Sequence, residues 1–234
     1  MAISQFHNDR ENTLHQKHEE HNIIDDMPLR DSKKQYNMSF TTGGLFYNES
    51  ILVVEEYLIL NDWNATKKLV IENNAIQSRT KSSVVRRVRE ICSRLQLLST
   101  SQLTLIRNGS RSEQQYILWL AICKRFAFIH EFAVEIVREK FLRMDSLLTL
   151  EEYQGFFEAK ARWHEKLDQL QKSTCERMRQ VLFQILREAG IITDTNIIIP
   201  AMLTSELVDA ISTDDPALLR VFPISDVDIQ TWLK

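Results

Sequence analysis

Residues 79–98 read R-T-K-S-S-V-V-R-R-V-R-E-I-C-S-R-L-Q-L-L, and two patterns are superimposed in them. Val84, Val88, Ile91, Leu95 and Leu98 recur at helical spacing and form one apolar stripe. Arg79, Lys81, Arg86, Arg87, Arg89 and Arg94 set six positive charges mainly off that stripe, against a single acid, Glu90. Such a helix packs one face on a core and offers a cationic face to a partner. Its first turn carries the hydroxyls Thr80, Ser82 and Ser83 at the end where backbone N–H groups are unpaired and the helix dipole is positive. Guanidiniums, hydroxyls and free amides at a helix start are the groups that hold nucleic-acid phosphates.

The whole-chain charge conceals this segregation. The 234 residues carry a formal net charge of −3, and the sequence pI is about 6.1. Residues 64–98 nevertheless hold eight Lys or Arg against Glu72 and Glu90, a net of +6. From Glu188 onward there are two Lys or Arg against eight Asp or Glu, a net of −6. Local field, not total charge, decides attraction to a polyanion. A solubilising face normally alternates sign, and this one does not.

Working outward, residues 61–62 (Asn-Asp) end a first helix over about residues 45–60, and Asn64 is read as the cap of a second over about residues 65–73. Asn73-Asn74 is a good stop because Asn tolerates the left-handed conformation. Helix, turn, then a basic helix opening on hydroxyl residues is the plan of a helix-turn-helix. The expected phosphate contacts are Arg79, Thr80, Lys81, Ser82, Ser83, Arg86 and Arg87, with Lys67 and Lys68 from the preceding helix.

With five Gly, four Pro and 44% hydrophobic residues, the chain predicts an all-α protein with a real core. Residues 1–35 read as a polar, flexible arm; the three-residue spacing of His15, His18 and His21 would suit a metal site on a helix, but with no anchoring core the reading is a solvated tail. Residues 36–108 form the helix-turn-helix region and residues 109–234 a helical C-terminal region. Within them residues 99–108 read as a linker, and Ser110 or Ser112 caps an apolar helical stretch over residues 113–143, bent or in two pieces. Thr149 to Glu152 fits a capping box. A long helix follows over about residues 162–189, with Trp163, Leu167, Leu170, Thr174, Met178, Val181 and Ile185 on its inner face and Gly190 as its cap. Residues 191–199 are the one β-prone stretch, a wing-like hairpin around D-T-N; beside it Lys172, Arg177 and Arg179 make a second candidate DNA contact. The blander role is a hairpin that closes the C-terminal helices. A short helix over residues 204–211 precedes the tail.

Enzymatic signatures are absent: no Gly-rich phosphate loop, no G-x-S-x-G elbow, no H-E-x-x-H. Glu151-Glu152 and Asp214-Asp215 suit a helix start and a turn before Pro216. His130 reads as a core residue and His164 as partly exposed. Cys92, Cys123 and Cys175 fit neither a zinc spacing nor a disulfide framework, which points to a reducing cytoplasm. The longest apolar run, residues 116–123, is far short of the roughly 20 residues a membrane span needs and predicts a helix buried on all sides. The expectation is therefore no catalytic residue, no metal, no cofactor and no membrane.

Y-N-M-S-F-T-T-G-G-L at residues 36–45, Asp62-Trp63, N-N-A-I-Q-S-R-T-K-S-S at 73–83, R-E-I-C-S-R-L at 89–95, the stretch 105–109 and L-R-E-A-G-I at 186–191 together resemble the BrxA family, a core component of bacteriophage exclusion (BREX) defence systems. The resemblance runs from about Tyr36 to Phe222 and leaves out the arm. It implies an all-α fold with helix-turn-helix elements, positive surface near them, binding to double-stranded DNA without known catalysis, and other BREX proteins as partners, including a methyltransferase and ATPases. Membrane-protein labels that the family has carried find no support in these residues. Two other readings stay open: an interaction adaptor docking its basic helix on an acidic protein, and a transcriptional regulator of the defence operon. A regulator usually needs a dimer with spaced half-sites, and the sequence shows no coiled-coil seam, which favours a monomer.

Overall fold

The structure, a computed structural model, describes residues 36–233; the polar arm and its three histidines lie outside the described residues. The described chain is all-α. In order, the helices are α1 (Tyr47–Leu60), α2 (Trp63–Glu72), α3 (Lys81–Leu95), α4 (Thr100–Asn108), α5 (Arg111–Arg125), α6 (Ala127–Phe132), α7 (Glu139–Leu142), α8 (Leu150–Ala161), α9 (Glu165–Asp168), α10 (Lys172–Glu188), α11 (Ser205–Ser212) and α12 (Asp226–Trp232). A π-helical turn, Ala133–Arg138, joins α6 to α7, and a 3₁₀ turn, Pro216–Val221, precedes the last helix.

The apolar run at residues 116–123 is buried throughout, as its composition dictates, and becomes the central strut α5. Trp119 is fully buried there and donates its indole N–H to the Val221 carbonyl at 3.0 Å. Around α5 lie Phe126, Phe128 and Phe132; the rings of Phe128 and Phe132 meet Tyr153 and Phe156 of α8 mostly edge-on. α1, α2 and α3 pack on one another, and α3 also packs on α5. Capping boxes open α4 (Ser99 with Gln102), α5 (Ser110 with Glu113) and α8 (Thr149 with Glu152).

Several boundaries differ from those read in the sequence. Asp62, not Asn64, caps α2: its carboxylate accepts the Asn64 and Ala65 amides at 2.7 and 3.3 Å. Residues 99–108 are not a linker but α4, anchored by the buried Leu103 and Ile106. Its buried Gln102 donates to the Ala210 carbonyl at 3.0 Å and to Asp214 at 3.2 Å. Residues 113–143 divide at Phe126, whose extended backbone ends α5. The long helix over residues 162–189 is divided too. His164 is extended, its ring lies 4.2 Å from that of Tyr36, and only the single turn α9 intervenes before α10 begins at Lys172. Trp163, expected inside, is 78% exposed, because the break frees it from the inner face that Met178, Val181 and Ile185 do form.

Residues 191–199 form no continuous strand. Ile192 and Ile198 make an isolated antiparallel bridge around a turn in which Asn196 is left-handed, and Ile197 bridges in turn to Leu147, a partner from before α8 that the sequence did not suggest. Gly190 caps α10 with a φ of 71°.

Candidate nucleic-acid interface

An eight-residue turn, from Asn73 to Thr80, joins α2 to α3, longer than the roughly 3–4 residues usual in a helix-turn-helix. Asn74 shapes it. With a positive φ, its side chain both accepts from the Ser78 amide at 3.1 Å and donates to the Ser78 carbonyl at 3.3 Å. Thr80 caps α3, accepting the Ser83 amide at 3.2 Å, and its hydroxyl lies 2.7 Å from that of Ser83. Thr80 and Ser83 are thus partly spent on the helix start, while Lys81 and Ser82 are exposed beside them.

The stripe Val84, Val88, Ile91, Leu95 is buried, so the opposite face of α3 is fixed. Ser82, Arg86 and Arg89, spaced four and three apart, share it, and all three are exposed. Among the described residues neither Arg86 nor Arg89 enters an ion pair. Arg79 and Lys81 extend this cationic face at the helix start, and Lys68 of α2 is exposed as well. Lys67 is half-buried and leans towards α3: its charge pulls on the Cys92 thiol, although burial dominates and pushes that thiol up to about 11.

Two arginines counted on the cationic face do other work. Arg94 is 4% exposed. Its Nε donates to Glu90 at 2.9 Å, its Nη1 donates to the Gly44 carbonyl at 2.9 Å, and its guanidinium lies 5.3 Å from the Phe46 ring. Burial pushes its pKa down, and Glu90 opposes the shift. Arg94 therefore ties α3 to the loop before α1. Arg87 turns the same way, 3.7 Å from the Glu49 carboxylate and 5.8 Å from the Phe46 ring. Arg89, which belongs to the exposed set, was readable from its three-residue spacing to Arg86.

Arg87 also lines a cleft of about 530 Å³ between α1, α3, α5 and α10, together with Arg111 and Arg187. The glycines of T-T-G-G form one wall. Gly43 has a φ of 77° with the Phe46 ring packed against it, and a Cβ on Gly44 would overlap the Glu188 carboxylate.

On α10, Lys172 and Arg179 lie seven residues apart and share one side of the helix, with Lys172 exposed and Arg179 half-buried; Arg177, exposed, lies on another side. The structure does not bring these three together on one face. Among the described residues no three His, Cys, Asp or Glu converge as metal ligands, and no helix is long and apolar enough to cross a membrane.

The BrxA family model matches residues 34–215, most of the chain and all of these elements up to the start of the 3₁₀ turn. The chain belongs to the BrxA family. A BREX protein BrxA of Escherichia coli is 26% identical over 148 residues, 63% of this chain and 70% of the relative. A BREX protein BrxA of Bacillus cereus is 29% identical over 124 residues, 53% of this chain and 62% of the relative. The fold recurs in the crystal structure of an uncharacterized protein from Magnetospirillum magneticum, with a TM-score of 0.70 at 20% identity, covering 81% of this chain and 99% of that one. The BrxA match takes in the T-T-G-G loop, α2, the turn and α3, and it leaves out almost all of the 1–35 arm.

Proposed function

We propose that this BrxA protein is a non-catalytic, double-stranded-DNA-binding component of a cytoplasmic BREX phage-defence system. The observation that carries the reading is the outward face of α3, where Arg86 and Arg89 stand exposed and free of ion pairs among the described residues, beside Arg79, Lys81 and Ser82. That face holds neutralising charge for phosphates, and its side chains follow one line along a helix that a core stripe fixes rigidly. Phosphate contacts position a protein on DNA without reading sequence, so binding to random duplex is expected. Thr80, Ser83 and Lys67 support the helix start and the α2–α3 contact, Lys68 adds charge from α2, and Arg87 serves the neighbouring cleft. The protein acts as a monomer in this reading. Fluorescence anisotropy on random duplex across a salt series tests it. With about four to six phosphates neutralised, log K falls against log salt with a slope of about −4 to −5. Binding that ignores salt sinks the proposal.

A protein partner within the defence system is a second reading with its own support. Leu142, Met144, Leu147 and Leu150 are exposed large apolar residues close together in the chain, and Leu147 bridges to Ile197, which is also exposed. Pull-down of other BREX proteins by the wild type, abolished in Met144→Glu/Leu147→Glu with DNA affinity intact, would assign that surface to assembly.

A further inference from the structure

The cleft between α1, α3, α5 and α10 is a second concentration of positive charge, and the DNA reading does not use it. Arg87, Arg111 and Arg187 reach it from three different helices. Like charges converging in one concavity repel unless something anionic joins them. The two carboxylates lining it, Glu49 and Glu188, offset two of these three charges and leave a net of +1. Glu188 is occupied, accepting the Leu45 amide at 2.5 Å and the Gln184 side-chain amide at 2.7 Å. Glu49 stands 3.7 Å from Arg87, longer than a charge-assisted hydrogen bond. Arg111 has no carboxylate at ion-pair distance among the described residues.

Each guanidinium is nonetheless held in place. Arg87 lies 5.8 Å from the Phe46 ring and Arg111 5.3 Å from the Tyr47 ring, while Arg187 donates through Nη1 to Asn196 at 2.9 Å. These contacts use ring faces or one N–H each and leave most of the five donors of every guanidinium unspent. Positioned planar forks with donors to spare match the tetrahedral oxygens of phosphate. A volume of about 530 Å³ falls in the range of small-ligand sites, roughly 300–1,000 Å³.

We propose that this cleft binds a phosphomonoester group, with Arg111 as its principal ligand and Arg87 and Arg187 flanking it. The group is carried either by a free nucleotide or by the 5′ end of a nucleic-acid strand. The inference does not rest on DNA binding by the outward face of α3.

Titration of the full chain with inorganic phosphate, AMP and ATP, followed by calorimetry, tests it, in parallel with duplexes that end in 5′-phosphate or 5′-hydroxyl. Arg111→Gln should weaken the phosphate ligand by about tenfold or more, the loss of one charged hydrogen-bonding pair, while Arg86→Gln/Arg89→Gln leaves it unchanged. AMP or ATP binding that depends on Arg111 assigns a free nucleotide. An Arg111-dependent preference for the 5′-phosphorylated duplex assigns a strand end. If no probe responds to Arg111, or the Arg86/Arg89 variant abolishes all binding equally, the proposal is overturned. Should Arg111→Gln lower the melting temperature, Arg87→Gln carries the same test from α3. Failure of the DNA reading is separate: it is random-duplex affinity that ignores Arg86 and Arg89.

Discussion

The Glu188 carboxylate at the end of α10 accepts the backbone N–H of Leu45 at 2.5 Å, across 143 residues of sequence, and so pins the start of the fold to its far half. Gly44 makes the approach feasible, since a side chain there would occupy the carboxylate's place. Gly44→Ala should cost about 1–3 kcal/mol through overpacking and loss of a charged hydrogen bond. Glu188→Ala, which frees the space, should lose the bond alone. A double variant less impaired than the sum of the two, measured by urea denaturation, confirms that one contact underlies both effects; strict additivity contradicts it.

Arg86→Ala/Arg89→Ala should lower random-duplex affinity and flatten the salt slope by about 2, one unit for each phosphate no longer neutralised. Stability should stay within about 0.5 kcal/mol, as for exposed sites remote from special features. Arg94→Ala should behave in the opposite way. It leaves Glu90 and the Gly44 carbonyl without their guanidinium and is expected to cost about 3–5 kcal/mol of stability. Equal effects of the two variants on melting temperature would refute the division between surface and structural arginines.

Arg177→Glu/Arg179→Glu distinguishes a DNA-contacting C-terminal element from one that only closes the fold. Because Arg177 and Arg179 lie on different sides of α10, duplex affinity is expected to change less than about twofold in the folded double variant. A loss of about tenfold would extend the interface to α10.

Asp214 supplies a pH-dependent term. Its carboxyl is partly buried, which alone would raise the pKa, but hydrogen bonds from Lys124 at 2.6 Å and Gln102 at 3.2 Å outweigh burial and hold it below the ordinary value of 3.8. A depressed folded pKa contributes stability that is present above about pH 4 and fades as pH falls through the folded value. The stability difference between wild type and Asp214→Asn should therefore be full at about pH 6 and shrink below about pH 4. A difference constant down to about pH 2.5 would show that the pair contributes nothing through charge.

Where one physical signal dominated, the fold could be read from the chain. The period of Val84, Val88, Ile91 and Leu95 placed α3, and the run around Trp119 placed the buried strut. What stayed hidden depended on partners distant in sequence. The polar S-T-S-Q start of α4 masked a capping box, and Gln102 is buried only because the Ala210 carbonyl and Asp214 receive its amide. The apparent helical period running on from Arg162 concealed a break that the Tyr36–His164 contact accompanies. In the candidate site, spacing could tell exposed Arg86 from buried Val88. It could not tell Arg86 from Arg87, because only the position of Phe46 and Glu49 turns Arg87 aside. The cleft was illegible for the same reason: Arg87, Arg111 and Arg187 have no common motif.

The π-helical turn at Ala133–Arg138 gives the chain a counting device. Closing its hydrogen bonds one residue later than an α-helix does, it acts as a one-residue insertion retained in a packed helix. Everything after it is swung by about 100° from the course of an uninterrupted helix. From that swung frame Arg138 reaches Asp226 at 2.8 Å and Lys140 reaches both Asp145 and Glu152. Deleting one residue between Ala133 and Ile136 would absorb the insertion and restore an ordinary helix with Arg138 and Lys140 at their present bearings, whereas a one-residue deletion inside the uninterrupted α5 would turn its two ends by about 100° relative to one another. Tolerance of length change along this chain is thus set by phase rather than by exposure alone.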